Sequence, residues 1–302
     1  MVSKGRFVDV SERAIVSLVG QESLDLLQRI STNDVAKLAS GGAIQTVLTN
    51  EKGRIVDVVS VLDRVEEGLL GIGQSTDPML MKQWIEKYII MENITLSVLT
   101  MEFVHLIVYD PMQSVGDVIG PLMRSGCRIF EETLASVPLT HVIAARAFRN
   151  EVVNGLLDAG FVPAEQKAYE EYRVLHGIPG FPQELSASSN PLEVGLLHLV
   201  SFIKGCYIGQ EVIARLDTYK KVQRRLVRLK MGELPSELPE KIYFQGQEWG
   251  SITSALTLSG SRECRGLGYI KSGSEISFGG LCFQKGSKEI NVVVDSLDPH
   301  EN

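Results

Sequence analysis

Residues 204–211 read KGCYIGQE, and this octapeptide places Cys206 on a short stretch that carries two glycines. Gly205 removes steric bulk beside the thiol, and Gly209 permits a sharp backbone excursion a few residues later. This pattern predicts a tight loop rather than a packed helix. A thiol reacts as its thiolate, and a nearby cation such as Lys204 lowers the pKa of a thiol. Cys206 is therefore a candidate reactive group, and a buried structural cysteine is the alternative.

Polar side chains follow the cysteine directly. Gln210 and Glu211 offer an amide and a carboxylate, which could bind a polar ligand or orient Cys206. Arg215 lies four residues after Glu211, so an ordinary ion pair along one helix face would explain both residues equally well.

The composition is that of a folded protein with ample core material. The chain has 302 residues, of which 44% are hydrophobic and 22% charged, and this length predicts two or three domains. A formal net charge of -7 disfavours bulk binding of nucleic acid, which needs a basic excess. No segment approaches the roughly 20 apolar residues of a membrane span. The N-terminus lacks the apolar stretch and small-residue cleavage site of a signal peptide.

The cysteines are scattered and form no C-x-x-C pair, at Cys127, Cys206, Cys264 and Cys282. Neither a disulfide framework nor a self-contained metal site is indicated. We therefore expect reduced thiols and a cytoplasmic location.

Hydrophobic periodicity predicts an α+β fold with helices on one face of strand-rich sheets. Helices are expected over residues 22–30 and 164–176, and a further helix from Asp77-Pro78 to Ile89. A hairpin is expected around the turn at residues 51–53.

The character of the chain changes after Met231, where short strands alternate with Gly, Pro and Ser turns. This pattern predicts a small β-barrel or β-sandwich. We place a domain boundary near residue 225, with an α+β region at 1–224 and the β-domain at 225–302.

Two further groups could line a ligand cavity. Tyr169 and Arg173 share a helix face and could stack on and anchor a flat ligand, although an aromatic ring packed on an arginine stem is the alternative. Glu193 could pair with a ring amide or amine. The alternative is a capping box, in which Asn190 caps a helix and Glu193 reaches back to it.

The chain also carries a basic cluster and two histidines near Cys206 in sequence. The cations between Lys220 and Lys230 could hold an anionic ligand tail, or they could form the exposed face of a strand. A cysteine hydrolase needs a base beside the thiol. His176 and His198 are nearest in sequence, but neither lies in a catalytic motif, so this function is disfavoured.

Residues 204–211 resemble the signature of the YgfZ-type folate-binding proteins. That family includes mitochondrial iron–sulfur assembly factors and is related to the glycine-cleavage T protein, an aminomethyltransferase. The resemblance extends over nearly the whole chain and is weakest at about 100–160. It is carried further by STNDV at 31–35, LTNEKGR at 48–54, the Tyr-x3-Arg-x3-Gly-Ile-Pro pattern at 169–179, NPLE at 190–193, GSITSA at 250–255 and GLGY at 266–269.

The resemblance implies a ring of ferredoxin-like α+β domains, with two intertwined subdomains in 1–224, a C-terminal β-barrel and a central hole for tetrahydrofolate. It implies a role in assembling or repairing iron–sulfur clusters, with an indirect effect on tRNA modification. The expected partners are assembly proteins or client enzymes, and a cluster could bind transiently. Cys206 would be essential, and Lys204 would favour its thiolate. The implied folate-binding residues are Asn33, Arg54, Asp57, Tyr169, Arg173, Glu193, Tyr207, Gln210, Glu211 and Arg215.

Three departures from the relatives qualify these expectations. The aminomethyltransferases carry two adjacent aspartates where this chain has Asp57 followed by Val58, and they have a Gly-Tyr-Thr-Gly-Glu segment that is missing here. Both differences argue against methylamine transfer. Many relatives also carry a glutamate suited to the pterin ring at the position of Leu175, which cannot make those hydrogen bonds. A tetrahydrofolate-dependent one-carbon transferase and a scaffold with an inert Cys206 remain the alternatives.

Overall fold

The computed structural model describes residues 5–111, 114–119, 128–272 and 280–295. Cys127 and the first four residues, on which the expectations about thiols and a signal peptide partly rest, lie outside these ranges. The helices of the described ranges are α1 (Ser23–Ile30), α2 (Pro78–Glu86), α3 (Val115–Ile119), α4 (Arg149–Asp158), α5 (Gln166–His176) and α6 (Gln210–Thr218).

Ten strands precede the barrel and form two five-stranded sheets. They are β1 (Arg6–Asp9), β2 (Ile15–Val19), β3 (Ala43–Thr49), β4 (Ile55–Asp63), β5 (Leu69–Gly73), β6 (Thr95–Val98), β7 (Phe103–Tyr109), β8 (Arg128–Leu134), β9 (Val137–Ala145) and β10 (Val162–Pro163). One sheet has the order β3-β4-β5-β2-β6 and the other the order β10-β1-β7-β9-β8. Both are antiparallel except for the short β1–β10 pair.

The remaining strands close into a barrel of order β11-β14-β13-β12-β15-β16. Their bounds are β11 (Arg224–Met231), β12 (Glu240–Phe244), β13 (Gln247–Thr257), β14 (Cys264–Lys271), β15 (Leu281–Lys285) and β16 (Lys288–Asp295). The barrel closes because β11 pairs with both β14 and β16. The two strands at the ends of this order, β11 and β16, therefore have no free edge. The division of the chain into domains at residue 225 stays a prediction.

Local signals set several element ends as expected. Gly177 adopts φ 75° and ends α5, and the Asp77 side chain caps α2 by accepting a hydrogen bond from the Met79 amide. The helix expected to reach Ile89 ends at Glu86 instead, in a looser turn that carries residues 87–89. The β3–β4 hairpin is confirmed.

The helix that the capping-box alternative places after Asn190 does not form. Asn190 Oδ1 accepts hydrogen bonds from the amides of Leu192 and Glu193, both at 3.0 Å, as a cap should. The chain then leaves the helical path at Gly195, whose φ is 77°, and residues 191–195 form turns. The capping contacts therefore stabilise an irregular segment between α5 and α6.

One apolar cluster lies where both sheets, α5 and the barrel meet. Val58 and Tyr109 enter it from the two sheets, Tyr169 from α5, and Leu226 and Tyr269 from the barrel. Burying this shared surface stabilises the packing of the two sheets, α5 and the barrel against one another. No helix in the described ranges is long and apolar enough to cross a membrane.

Candidate functional site

The loop that carries Cys206 is anchored on both sides of the thiol, to the segment between α1 and β3 and to the last residue of β3. Lys204 Nζ donates hydrogen bonds to the carbonyl oxygens of Ser31, at 2.8 Å, and Asn33, at 2.6 Å. On the other side, Thr49 Oγ1 donates to the Ile208 carbonyl at 2.7 Å. These contacts bracket Cys206 and hold the loop over the end of β3.

Gly209 fits a backbone contact that no larger residue could make. Its φ is 82°, and a Cβ there would lie 2.6 Å from the Asn50 carbonyl oxygen and 2.9 Å from Gly53 Cα. The start of α6 therefore docks directly on the β3–β4 turn. The glycine that the sequence marked for a sharp excursion supplies both the left-handed conformation and this close approach.

Cys206 is exposed, as is Gly205, whose missing Cβ would meet no atom within 4 Å. Cys264 is buried in the barrel, and Cys282 is half-buried. Of the three cysteines in the described ranges, Cys206 is thus the most exposed. The thiol lies on an exposed loop rather than in a packed core.

Lys204 is half-buried, and burial lowers the pKa of its ammonium to about 8, partly opposed by the nearby Asp34 carboxylate. The ammonium remains mostly charged at neutral pH, but two of its protons are engaged by the carbonyls of the 31–33 segment. Its first role in the structure is to anchor the loop.

Tyr207 points inward from the same loop. It is buried with Val200, Ile213 and Leu192, and burial raises the pKa of its hydroxyl to about 12. Among the described residues its hydroxyl has no hydrogen-bond partner, and Lys204 Nζ lies 5.4 Å from its ring. The tyrosine side chain thus packs into the protein and holds the loop, while the neighbouring Cys206 is exposed.

The polar residues that follow open α6. Glu211 and Arg215 are exposed and Gln210 is half-buried. The structure forms no ion pair between Glu211 and Arg215, both of which lie in its described part, so the helical ion pair does not account for them. Asn33 lies beneath the loop, where its Nδ2 donates to the Gln45 carbonyl at 2.7 Å.

Glu193 is buried and already has partners. Its Oε2 accepts hydrogen bonds from Arg54 and Arg224, each at 3.3 Å, and from the Asn190 amide at 3.3 Å. Arg54 and Arg224 also donate to the Ser188 carbonyl. The two hydrogen bonds of the capping box are formed although no helix follows, and two arginines compensate the buried carboxylate.

The basic cluster is partly paired as well. Lys220 pairs with Asp217 and Lys230 with Asp295, at 3.1 and 3.6 Å. The Arg224 guanidinium stacks on the Tyr269 ring at 4.1 Å from its centroid. These contacts favour the strand-face interpretation over a ready-made anion site.

Arg173 connects α5 to the barrel. It is 4% exposed, and it donates to Glu184 Oε2 at 3.1 Å and to Ser254 Oγ at 2.9 Å. Glu184 is fully buried and also accepts from Thr253 and Ser254. Tyr169, one turn earlier, is buried in the central apolar cluster.

Asp57 is fully buried in β4, and its carboxylate accepts hydrogen bonds from the amides of Val58, Gln74 and Ser75. Burial raises its pKa to about 7, although the three amides favour the ionised form. By accepting from the Gln74 and Ser75 amides, the carboxylate fixes the backbone that follows β5.

Two cavities flank α5. One of about 280 Å³ is bounded by Gly5, Arg6, Tyr109, Asp110, Ala168, Glu171, Tyr172 and Leu175. The other, of about 140 Å³, is polar and is bounded by residues that include Arg13, Gln74, Tyr169, Glu170, Arg173 and Gln183. The predicted site residues are therefore not gathered in one place. Tyr169 and Arg173 lie at the smaller cavity, while Lys204, Cys206 and Tyr207 lie on the anchored loop.

Glu132 and Glu184, both buried, were missed from the sequence. In β8, IFEETL at 129–134, alternation places Glu132 on the same buried face as Phe130 and Leu134. This two-residue alternation was the sequence signal from which the burial of Glu132 could have been predicted. Glu184 lies in an irregular segment, where no period applies.

Comparisons with known proteins identify the fold and the relatives. The crystal structure of the glycine cleavage system aminomethyltransferase T from Bartonella henselae matches with a TM-score of 0.82, over 98% of this chain and 86% of that one, at 16% identity. The α+β fold with a C-terminal barrel, expected from the resemblance, is thereby confirmed as that of the glycine-cleavage T protein. No protein-family model matches the chain.

The sequence relatives include aminomethyltransferases. A putative chloroplastic transferase of Arabidopsis thaliana is 28% identical, over 87% of this chain and 65% of that protein. An aminomethyltransferase of Picosynechococcus is 25% identical, over 87% and 77%. A mitochondrial iron–sulfur cluster assembly factor homologue of Mycosarcoma maydis is 27% identical, over 75% and 57%. The chain thus spans less than two thirds of the first and third of these relatives.

Proposed function

We propose that this chain is a YgfZ-type, tetrahydrofolate-binding accessory factor that assembles or repairs iron–sulfur clusters in the cytoplasm. Enzymes that modify tRNA would be among its clients, without direct contact between this chain and nucleic acid. The observation that carries the proposal is the exposed Cys206 on a loop anchored at Lys204 and at Ile208. The iron–sulfur assembly relative supports the same role.

In this proposal Cys206 lends a thiolate to a cluster in transit. Thiolates are the usual ligands of iron–sulfur clusters, which take several of them. Within the described ranges no group of three or more His, Cys, Asp or Glu side chains is arranged to hold a metal ion. A cluster on Cys206 would therefore take its further ligands from a second molecule, either an assembly protein or the client.

The cluster step can be tested with purified protein under anaerobic conditions. A donor carrying a [2Fe–2S] cluster is mixed with wild type, Cys206→Ser or Cys282→Ser in the presence of glutathione. We expect visible absorption to transfer to wild type and to Cys282→Ser, and not to Cys206→Ser. Equal transfer to Cys206→Ser would show that this thiol is not the ligand.

The larger cavity is our candidate for the folate. The Tyr109 and Tyr172 rings lie 4.5 Å apart between centroids and form an aromatic wall beside Leu175. Asp110 and Glu171 line the same cavity and provide the carboxylates that Leu175 does not. Arg173 and Glu193 have their own buried partners, so we assign them to supporting the fold around the site rather than to direct contact.

Calorimetry with tetrahydrofolate under reducing conditions tests this assignment. A hydrogen bond to a charged group contributes about 1.5–3 kcal/mol, so loss of the carboxylate that binds the pterin should weaken binding at least about tenfold. Asp110→Asn and Glu171→Gln are the test variants, and Glu131→Gln, exposed on β8, is the control. No binding to wild type, or equal affinity in all four proteins, would contradict the assignment.

A tetrahydrofolate-dependent aminomethyltransferase is the second candidate, and the aminomethyltransferase relatives favour it. The environment of Asp57 supports it poorly, because three backbone amides occupy that carboxylate and Val58 follows in the apolar cluster. Formation of methylene-tetrahydrofolate from an aminomethyl-carrying protein would establish this activity. No product above the background without protein would exclude it.

A further inference from the structure

A chain of three buried titratable groups runs through the second sheet. Glu132 on β8, His141 on β9 and His105 on β7 are at most 1% exposed. His141 Nε2 lies 2.7 Å from Glu132 Oε2, in a close contact that is not aligned as a hydrogen bond. His105 Nε2 lies 2.9 Å from His141 Nδ1. The mechanism proposed above uses none of these groups.

This cluster of three side chains is hydrogen-bonded through Glu132 to the first sheet. Glu132 Oε1 accepts from the side-chain amides of Gln45, on β3, and Gln74, which follows β5 and lies 3.0 Å away. Gln74 also lines the polar 140 Å³ cavity together with Arg13. Glu132 is therefore the point at which the two sheets are joined by polar contacts beside that cavity.

The contacts constrain where the protons lie. An ionised Glu132 can only accept, so both glutamines present their amino groups to it, and the proton of His141 Nε2 lies on the side of the carboxylate. His105 Nε2 and His141 Nδ1 share one proton across their contact. His105 Nδ1 has no hydrogen-bond partner among the described residues. A charged His105 would therefore carry a buried N–H without an acceptor, so His105 is neutral in the closed arrangement.

The charged neighbours oppose a further proton. Burial, then His141 and Arg13, lower the pKa of His105 well below its usual value. Burial raises the pKa of Glu132, but His141 and Arg13 outweigh it, so the carboxyl stays ionised. Arg13 also interacts with Tyr169 and with Asp57, two further titratable groups beside the cluster. These neighbours therefore disfavour a proton on His105 while the two sheets are closed against each other.

We propose that Glu132, His141 and His105 form a proton-sensitive latch, which joins the two sheets beside the polar cavity at neutral pH and opens in mild acid. This regulation is independent of the proposed function. Its sign follows from linkage. His105 is neutral in the closed form of the latch and has an ordinary pKa near 6.5 in the open form, so at mildly acidic pH it binds a proton only in the open form. The closed form is favoured above pH 6.5 and loses its advantage as the pH falls.

Hydrogen exchange between pH 8 and pH 5 tests the latch, after rates are corrected for intrinsic pH dependence. Below pH 6.5, opening of β8, β9 and the Gln74–Ser75 segment should increase about tenfold per pH unit for each proton taken up. The barrel strands β11–β16 should not change. His105→Gln keeps an N–H donor toward His141 but cannot be protonated, so its pH dependence should be smaller. His176→Gln, at an exposed position, is the control.

Two results would overturn the proposal. One is unchanged exchange at the sheet interface of wild type as the pH falls, or an equal change in the barrel. The other is a His105→Gln protein with the full pH dependence of wild type. If that variant does not fold, the wild-type profile alone decides, because the latch requires opening confined to the interface.

Discussion

Replacing Gly209 by alanine is the sharpest perturbation of the anchored loop. Gly209 has φ 82°, and an alanine Cβ would lie 2.6 Å from the Asn50 carbonyl oxygen and 2.9 Å from Gly53 Cα. Both are backbone atoms of the β3–β4 turn, so they cannot move aside as a flexible side chain would. The left-handed conformation costs a non-glycine residue about 1–2 kcal/mol, and forced overpacking about 1–3 kcal/mol more. We therefore expect Gly209→Ala to lower the free energy of unfolding by about 2–5 kcal/mol.

Gly205→Ala is the matched control, because a Cβ at Gly205 would meet nothing within 4 Å. It should change the free energy of unfolding by less than about 0.5 kcal/mol. Urea unfolding of wild type and both variants, followed by circular dichroism, measures the two effects. If Gly209→Ala were as stable as Gly205→Ala, the docking of α6 on the β3–β4 turn would be wrong, and with it the fixed position of the thiol.

Other consequences concern the buried charges and the thiol. Arg173→Met leaves Glu184 buried without its cation and should cost about 3–5 kcal/mol in urea unfolding, whereas a loss below 1 kcal/mol would argue against the ion pair. Because burial raises the pKa of Asp57 to about 7, the stability of wild type relative to Asp57→Asn should fall by up to about 1.4 kcal/mol per unit as pH rises from about 4 to 7, then level off. A difference that grows with rising pH would mean that the three amide donors outweigh burial. Iodoacetamide at neutral pH, followed by mass spectrometry, should label Cys206 before buried Cys264, and the reverse order would contradict the exposed loop.

The local features of this fold were predictable because they rest on local chemistry. Gly177 ends α5, Pro78 and Asp77 begin α2, and the turn after Asn50 connects β3 to β4. The strand pattern after Met231 indicated a β-domain. The closed barrel itself depends on the pairing of β11 with β16, two strands more than fifty residues apart in the sequence, which no local pattern reveals.

The site was predictable in part for the same reason. The glycines beside Cys206 indicated a loop, and the structure shows the loop. What lies beneath it depends on distant residues, since Lys204 bonds to residues 31–33 and Thr49 bonds to Ile208. The long-range partners of Arg173 and Glu193 were also unpredictable, because Ser254 and Arg224 lie on the distant barrel strands β13 and β11. Sequence spacing indicated that these side chains have partners but not which ones.

The most direct test of the account is complementation in cells that lack the native protein. Activities of iron–sulfur enzymes, including those that modify tRNA, are measured with wild type, Cys206→Ser or Cys282→Ser at matched protein levels. We predict that Cys282→Ser restores these activities and Cys206→Ser does not, although Cys206→Ser folds normally because its side chain is exposed. Full restoration by Cys206→Ser would contradict the central claim that this exposed thiol carries the function.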